Sequence, residues 1–188
     1  MDTRIKSVEF NEEKHEYWYQ GKRLNGVTGA IGKLTGKSFP DTDIVKLAAT
    51  YGSDIHKEVE NWYNSGSRVL SSEGSKWVVD YLAQFQKEHF VNQVECEVMV
   101  SDFEGTASKI DVVVRTDTGS YIFDIKTTTH FDRAYCTMQL NVYKRLYEAN
   151  YEDNVIGMFV LSTKSRRAFR ILEQDTGRTD KILAMNKE

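Results

Sequence analysis

The sequence predicts an α+β fold in which a central mixed β-sheet is flanked by helices and preceded by an N-terminal β-hairpin. Three observations lead there. Apolar β-type runs follow one another at 94–100, 106–115 and 120–127, with two more at 155–161 and 168–172. Stretches of helical period at 41–64, 71–90 and 131–151 precede or interrupt these runs. Short alternating runs at 8–10, 15–19 and 21–24, with Gly21 at a tight turn, open the chain. At 188 residues and 21.7 kDa, the expected organisation is one domain with a sizeable core. Its expected parts are an N-terminal hairpin over 1–40, a core over 41–172 and a C-terminal helix over 173–188.

A hydrophobic share of 40% and an aromatic share of 12% place the chain with globular rather than disordered proteins. Lys and Arg total 25 against 28 Asp and Glu, a net charge of -3. That balance argues against a surface that holds nucleic acid all over. It leaves room for an enzyme with acidic residues around a metal and local basic patches for phosphate. No apolar run reaches the ~18 residues of a membrane helix. The start MDTRIKSVEF has no signal-peptide apolar region, so a cytoplasmic protein without a membrane partner is expected. Cys96 and Cys136 lack metal-type spacing and read as reduced core residues. The four thiolates of an iron–sulfur cluster or structural zinc are not available.

Along the chain, 25–36 is glycine-rich but has neither P-loop nor dinucleotide-binding spacing. It is expected to run as loop through Pro40, with a helical turn at 27–34. Thr42 or Asp43 is the expected cap of the helix at 41–64. Within that helix Gly52, His56 and Glu60 fall at steps of four and share a face. His56 is then either an ordinary histidine satisfied by Glu60 or a functional group beside a glycine that permits close approach. In the helix at 71–90, Trp77, Tyr81, Leu82 and Phe85 form a stripe suited to core packing.

Asp111 interrupts the run KIDVVV at 109–114, and Asp124 and Lys126 interrupt YIFDIKTT at 121–128, with the turn between them at Thr118-Gly119. Strand alternation puts Asp124 and Lys126 on one face and Phe123 and Ile125 on the other. Charges on a buried strand must be paired or hold a metal. An internal ion pair and a metal site are both open on this stretch alone. Asp111 can be a cross-strand neighbour of Asp124. Two adjacent carboxylates repel unless one is protonated or a cation lies between them, which favours a metal. On the helix at 131–151, Gln139 and Tyr143 are four apart, as a polar edge or a functional pair.

In order along the chain, GSDIHKEVE (52–60), GTASKIDVVV (105–114), YIFDIKTT and QLNVY (139–143) resemble the RecB-like branch of the PD-(D/E)XK nuclease superfamily. The hairpin followed by GVTGAIGKL (26–34) is similar to the PSVT segment of phage exonucleases and of mitochondrial genome maintenance exonucleases, with Asn25-Gly26 in place of Pro-Ser. The resemblance implies a restriction-endonuclease-like catalytic core and a Mg²⁺- or Mn²⁺-dependent deoxyribonuclease using one or two ions. It makes His56, Asp111, Asp124 and the backbone carbonyl of Ile125 the metal ligands. Lys126 would stand beside the attacking water, and Gln139 would hold that water, Lys126 or a phosphate. Glu60 would orient His56 or a metal-bound water, and Glu97 is a further acidic contributor. Tyr143 would pack or meet the substrate, and Thr127, Thr128 and Lys109 would contact it. Apart from the resemblance, local charge makes Lys164, Arg166 and Arg167 candidate phosphate contacts, with a solvated loop as the alternative.

The implied substrate is DNA, as single strands or ends, cut exonucleolytically in phage-type recombination, repair or replication. A single-strand annealing or binding protein is the implied partner, in a bacterial host's cytoplasm. A structure-specific or nicking endonuclease, and a non-catalytic DNA-binding module on the same fold, are the alternatives.

Overall fold

The computed structural model describes residues 1–36, 43–174 and 176–187, and within its second helix the side chains from residue 50 onward. The loop expected at Pro40 and the cap expected at Thr42, with the side chain of Asp43, lie outside the described residues. A 3₁₀ turn at Thr3–Ser7 leads into strands β1 (Val8–Asn11), β2 (Glu16–Tyr19) and β3 (Lys22–Leu24). They form a three-stranded antiparallel sheet, one strand for each of the three short runs expected over 8–24. Gln20 and Gly21 both have positive φ, 49° and 76°, which suits the two-residue turn joining Tyr19 to Lys22. The stretch expected as a loop with one helical turn is helix α1 (Val27–Thr35). Burial of Val27, Ala30 and Ile31 on one face outweighs its poor helical propensity.

Helices α2 (Asp43–Asn64) and α3 (Glu73–Glu88) follow. Ser72 caps α3 by accepting from the Ser75 N–H, and the Glu58 carboxylate of α2 accepts from the N–H groups of Ser71 and Ser72. Next come β4 (Val91–Ser101), β5 (Ala107–Thr116), β6 (Gly119–Lys126), α4 (Arg133–Tyr151), β7 (Val155–Ser162), β8 (Arg167–Ile171) and α5 (Thr176–Met185). The five strands lie in sequence order and pair antiparallel, except for the parallel β6–β7 pair joined through α4. The fold is α+β with a central mixed sheet. The β5–β6 turn is Asp117-Thr118, one residue earlier than expected. Gly119 opens β6 opposite Thr116 at φ 139°, where a Cβ would come within 2.7 Å of the Asn154 carbonyl oxygen.

Helices cover the sheet on both faces. One core gathers α1, α4 and α5 around Val113, Ile122 and Tyr147; the other gathers α2 and α3 around Val112, Val114 and Phe123. Leu82 and Phe85 of the α3 stripe are buried there, with Trp77 and Tyr81 packed at its margin. Each fully buried side chain of this size contributes about 1.5–3 kcal/mol. A third, smaller cluster seats the N-terminal sheet, through Tyr17 and Leu24, on Ala107 and Met99. Cys96 and Cys136 are free thiols buried in the two main cores. No helix of the described residues is long and apolar enough to cross a membrane.

β4 is an edge strand, and side chains rather than a neighbouring strand satisfy part of its outer rim. Asn64, at the end of α2, accepts from the Cys96 N–H and donates to the Cys96 carbonyl, both at 3.0 Å. Asn150, near the end of α4, does the same for Ser101 at 2.8 and 2.9 Å, and the Tyr151 hydroxyl donates to the Met99 carbonyl. These contacts occupy groups that would otherwise invite another chain. Asn150→Ala is expected to strand both backbone groups of buried Ser101 and to destabilise the fold by about 2–4 kcal/mol in urea unfolding.

Candidate active site

β5 and β6 part company where the acidic residues begin. Their ladder ends at Val112↔Phe123, and the next residues on each strand are Asp111 and Asp124. In place of a further ladder bond, the Asp111 Oδ2 accepts from the Ile125 N–H at 2.6 Å. β6 keeps its other neighbour, pairing Asp124, Ile125 and Lys126 with Val160, Leu161 and Ser162 of β7. One strand therefore runs on, fully supported on one side, while its other side opens into a gap.

α2 supplies His56 to that gap. Its Nε2 lies 3.2 Å from the Ile125 carbonyl oxygen, and its Nδ1 lies 3.6 Å from Asp111 Oδ1. One turn earlier, Gly52 lets the helix press against the end of β6. A Cβ at this position would sit 2.9 Å from the Thr127 hydroxyl oxygen. The Ile125 side chain stays in the α2–α3 core, while its carbonyl faces His56.

Glu97 joins this group from β4. It and Asp111 sit opposite each other between the Cys96↔Val112 and Val98↔Ile110 pairs. At this point the two faces of the sheet exchange cores. Cys96 and Val112 point to the α2–α3 side, yet Val98 and Ile110, two residues on, point to the α4 side. A regular strand would keep them on one face. Glu97 has φ 54°, a strained value for a non-glycine residue, which accounts for the switch on its own strand. His56, Glu97 and Asp111 each offer a ligand atom, all within 4.8 Å of one another. Burial, reinforced by the nearby Asp111 charge and partly countered by Lys109 and His56, raises the Glu97 carboxyl to about 7.

Asp124 and Lys126 share the opposite wall. Asp124 is 1% exposed, and burial, with the Asp111 charge, raises its pKa against the pull of Lys126. The Lys126 ammonium donates to Asp124 Oδ1 at 3.0 Å and to Gln139 Oε1 at 3.2 Å. Burial would lower the Lys126 pKa, but the Asp124 carboxylate more than offsets this, so it lies above the usual lysine range. Gln139 Nε2 in turn donates to the Tyr143 hydroxyl at 2.9 Å, which also accepts from Ser108. One turn of α4 thus fixes the lysine. Asp124 Oδ2 is 2.8 Å from the ammonium but has no aligned hydrogen bond.

These groups line one cleft of ≈ 240 Å³, which His15, Tyr17 and Thr28 border from the N-terminal segment. Several expected residues are placed otherwise. Glu60 hydrogen-bonds Lys57 at 3.0 Å, and no contact with His56 occurs among the described ones. Tyr143 is 3% exposed and acts as an internal strut at the cleft wall, the packing role of the two that the resemblance allows it. Lys109 lies at the rim, 3.7 Å from Glu97 and 4.1 Å over the Phe10 ring. Thr127 packs on Gly52, while exposed Thr128 donates to the His130 carbonyl. Lys164 covers the Tyr51 ring, Arg166 pairs with Glu73, and exposed Arg167 opens β8. Glu97 and Tyr17 gain most in importance. The sequence signal for Glu97 was its place opposite Asp111, once the β4–β5 register is known.

The donor set suits a hard divalent cation. Three carboxylates face two ammonium groups in the cleft, an imidazole and a backbone carbonyl stand beside them, and one buried carboxylate oxygen lacks a hydrogen bond. No family model matches this sequence, nor does any curated protein. Among solved structures, a candidate exonuclease from Eubacterium rectale is 13% identical with a TM-score of 0.42, over 87% of this chain and 77% of its own. SSO0001 is 18% identical with a TM-score of 0.37, over 86% of this chain and 82% of its own.

Glu97 sets a pH dependence. Its folded pKa of about 7 lies above the ordinary 4.5, so the metal-free folded state binds the extra proton between those values. The stability this group contributes is full below the lower value, falls as pH rises through the window and is lost above about 7, a change of on the order of 3 kcal/mol. Thermal unfolding in EDTA should show this slope, and Glu97→Gln should flatten it. Mn²⁺ affinity should rise over the same window, because a ligand carboxylate must be deprotonated.

Proposed function

We propose that this chain is a divalent-metal-dependent deoxyribonuclease that hydrolyses phosphodiester bonds in single-stranded DNA or at DNA ends. One observation carries the reading. Asp124 and Lys126 share one face of β6 at an open strand gap, with Asp111 and Glu97 across it and Lys126 held by Gln139. The ordered resemblance of four segments to RecB-like nucleases supports the same conclusion.

His56, Glu97, Asp111, Asp124 and the Ile125 carbonyl are the groups that would hold Mg²⁺ or Mn²⁺. Such an ion would polarise the phosphate and make a water more nucleophilic near neutral pH. The protein's own contribution is positional and electrostatic. Lys126 donates two of its three N–H bonds to Asp124 and Gln139, which leaves one for a phosphate oxygen or the attacking water. Its charge stands where negative charge grows as the new P–O bond forms and the bond to the leaving strand breaks. Gln139 and Tyr143 keep this ammonium from swinging into solvent, so its entropy is lost on folding rather than during the reaction. The acidic wall cannot attract a phosphodiester by itself; Lys126 and Lys109 are the cleft's counterweights.

Digestion of end-labelled linear and covalently closed circular DNA with Mn²⁺ tests the proposal. Asp124→Ala and Lys126→Ala should each lose at least about 10³-fold in rate, and Gln139→Ala about 10–100-fold. EDTA should abolish activity. Cleavage of closed circles would replace the end-dependent reading with an endonuclease, and undiminished activity in both alanine variants would remove the catalytic assignment.

A further inference from the structure

We propose that the β1–β2 turn is a base-stacking bracket, with His15 packing against the nucleobase next to the phosphate held in the cleft. The inference rests on the nuclease reading and narrows its substrate to strands whose bases are unpaired.

His15 is exposed, yet it lines the same ≈ 240 Å³ cleft as Asp111 and Asp124. Its backbone adopts φ 51°, a left-handed conformation that non-glycine residues rarely occupy. The turn holds it there through the Asn11↔Glu16 pair at its base and a hydrogen bond from the Lys14 N–H to Asn11. The imidazole is braced from behind by two rings. Its centroid lies 5.2 Å from Phe10 at 88° and 5.8 Å from Tyr17 at 79°. Phe10 and Tyr17 also touch each other at 4.8 Å, and Lys109 sits over Phe10. Buried Tyr17 joins this assembly to the β5 end of the cleft.

An exposed aromatic ring held by two T-shaped contacts can serve as a stacking platform. The chemistry of the cleft gives it a task. Its floor carries three carboxylates, which repel a phosphodiester and offset much of what Lys126, Lys109 and a bound ion supply, so an uncharged contact beside the phosphate adds affinity that does not depend on that charge balance. Every base offers a π face for this purpose, whatever its sequence. In a duplex those faces are covered by neighbouring bases, so a bracket at this place selects single strands and frayed ends.

The test uses the 188-residue chain, with a single-stranded oligonucleotide carrying one 2-aminopurine, in Ca²⁺ for binding and in Mn²⁺ for digestion. His15→Asn removes the ring while keeping a residue that tolerates the left-handed turn. It should bind about tenfold more weakly, lose the fluorescence quenching, and raise KM with kcat and the unfolding midpoint unchanged. His15→Trp should restore quenching and affinity. The inference is overturned if His15→Asn binds like the wild type, or if both variants lose affinity together with a lowered unfolding midpoint. If the wild type neither binds nor digests any strand, the nuclease reading fails and takes this inference with it.

Discussion

Three carboxylates face one cleft where the β5–β6 ladder stops, and their mutual repulsion shapes the groups around them. Two like charges 4 Å apart at the protein surface repel by ~4 kcal/mol. Glu97, Asp111 and Asp124 are all half-buried or buried, which adds a desolvation cost. The fold answers each one separately. Asp111 takes an N–H from Ile125, Asp124 takes the Lys126 ammonium, and Glu97 has Lys109 nearby while its proton affinity rises. Such partial solutions leave an excess of acceptor groups facing one cleft. A divalent cation would relieve that excess at a single point.

The backbone makes the same concession. A sheet of regular strands would continue the β5–β6 ladder and keep alternate residues on fixed faces. Here the ladder stops at Val112↔Phe123, and Cys96 and Val98 serve opposite cores across a strained Glu97. The asparagine contacts on the outer rim of β4 record the same switch. A regular strand turns the N–H and C=O of alternate residues outward, yet Cys96 and Ser101, five positions apart, both face the rim. The irregularity lies between them, where Glu97 meets Asp111. It is stabilised by cores on both sides and by the N-terminal sheet, whose Tyr17 packs close to the displaced region. Strain concentrated beside candidate ligands is what a preorganised site requires, since ligands cannot relax away from one another without disturbing packed layers.

α4 plays the part of a ruler. Its helical rise brings Gln139 and Tyr143 into line, so one buried hydroxyl, one amide and one ammonium connect in series down to Asp124. Buried polar chains of this kind hold a unique geometry because each member would be unsatisfied in any other. Lys126 is therefore both half of an ion pair and a group aimed into the cleft. The two descriptions, alternatives when only YIFDIKTT is considered, are compatible in the folded protein.

By itself the sequence determined the layered α+β architecture, because strand and helix periods are local and strong. Strand alternation and hairpin adjacency also brought Asp111, Asp124 and Lys126 together, because that information is local; His56 and Gln139, on separate helices, joined them only through the resemblance of their segments to a known nuclease family. The tertiary structure alone decided the rest. It turned Glu97 towards Asp111, since a positive φ and an exchange of cores depend on packing from both faces. It gave Glu60 to Lys57 and buried Tyr143, since a helix position tells which residues share a face and not what covers that face. It raised α1 from a glycine-rich segment, since burial of Val27, Ala30 and Ile31 supplies what propensity lacks. It also set His15 at the mouth of the cleft, because only the seating of the N-terminal sheet on Ala107 and Met99 brings so distant a part of the chain beside the acidic residues.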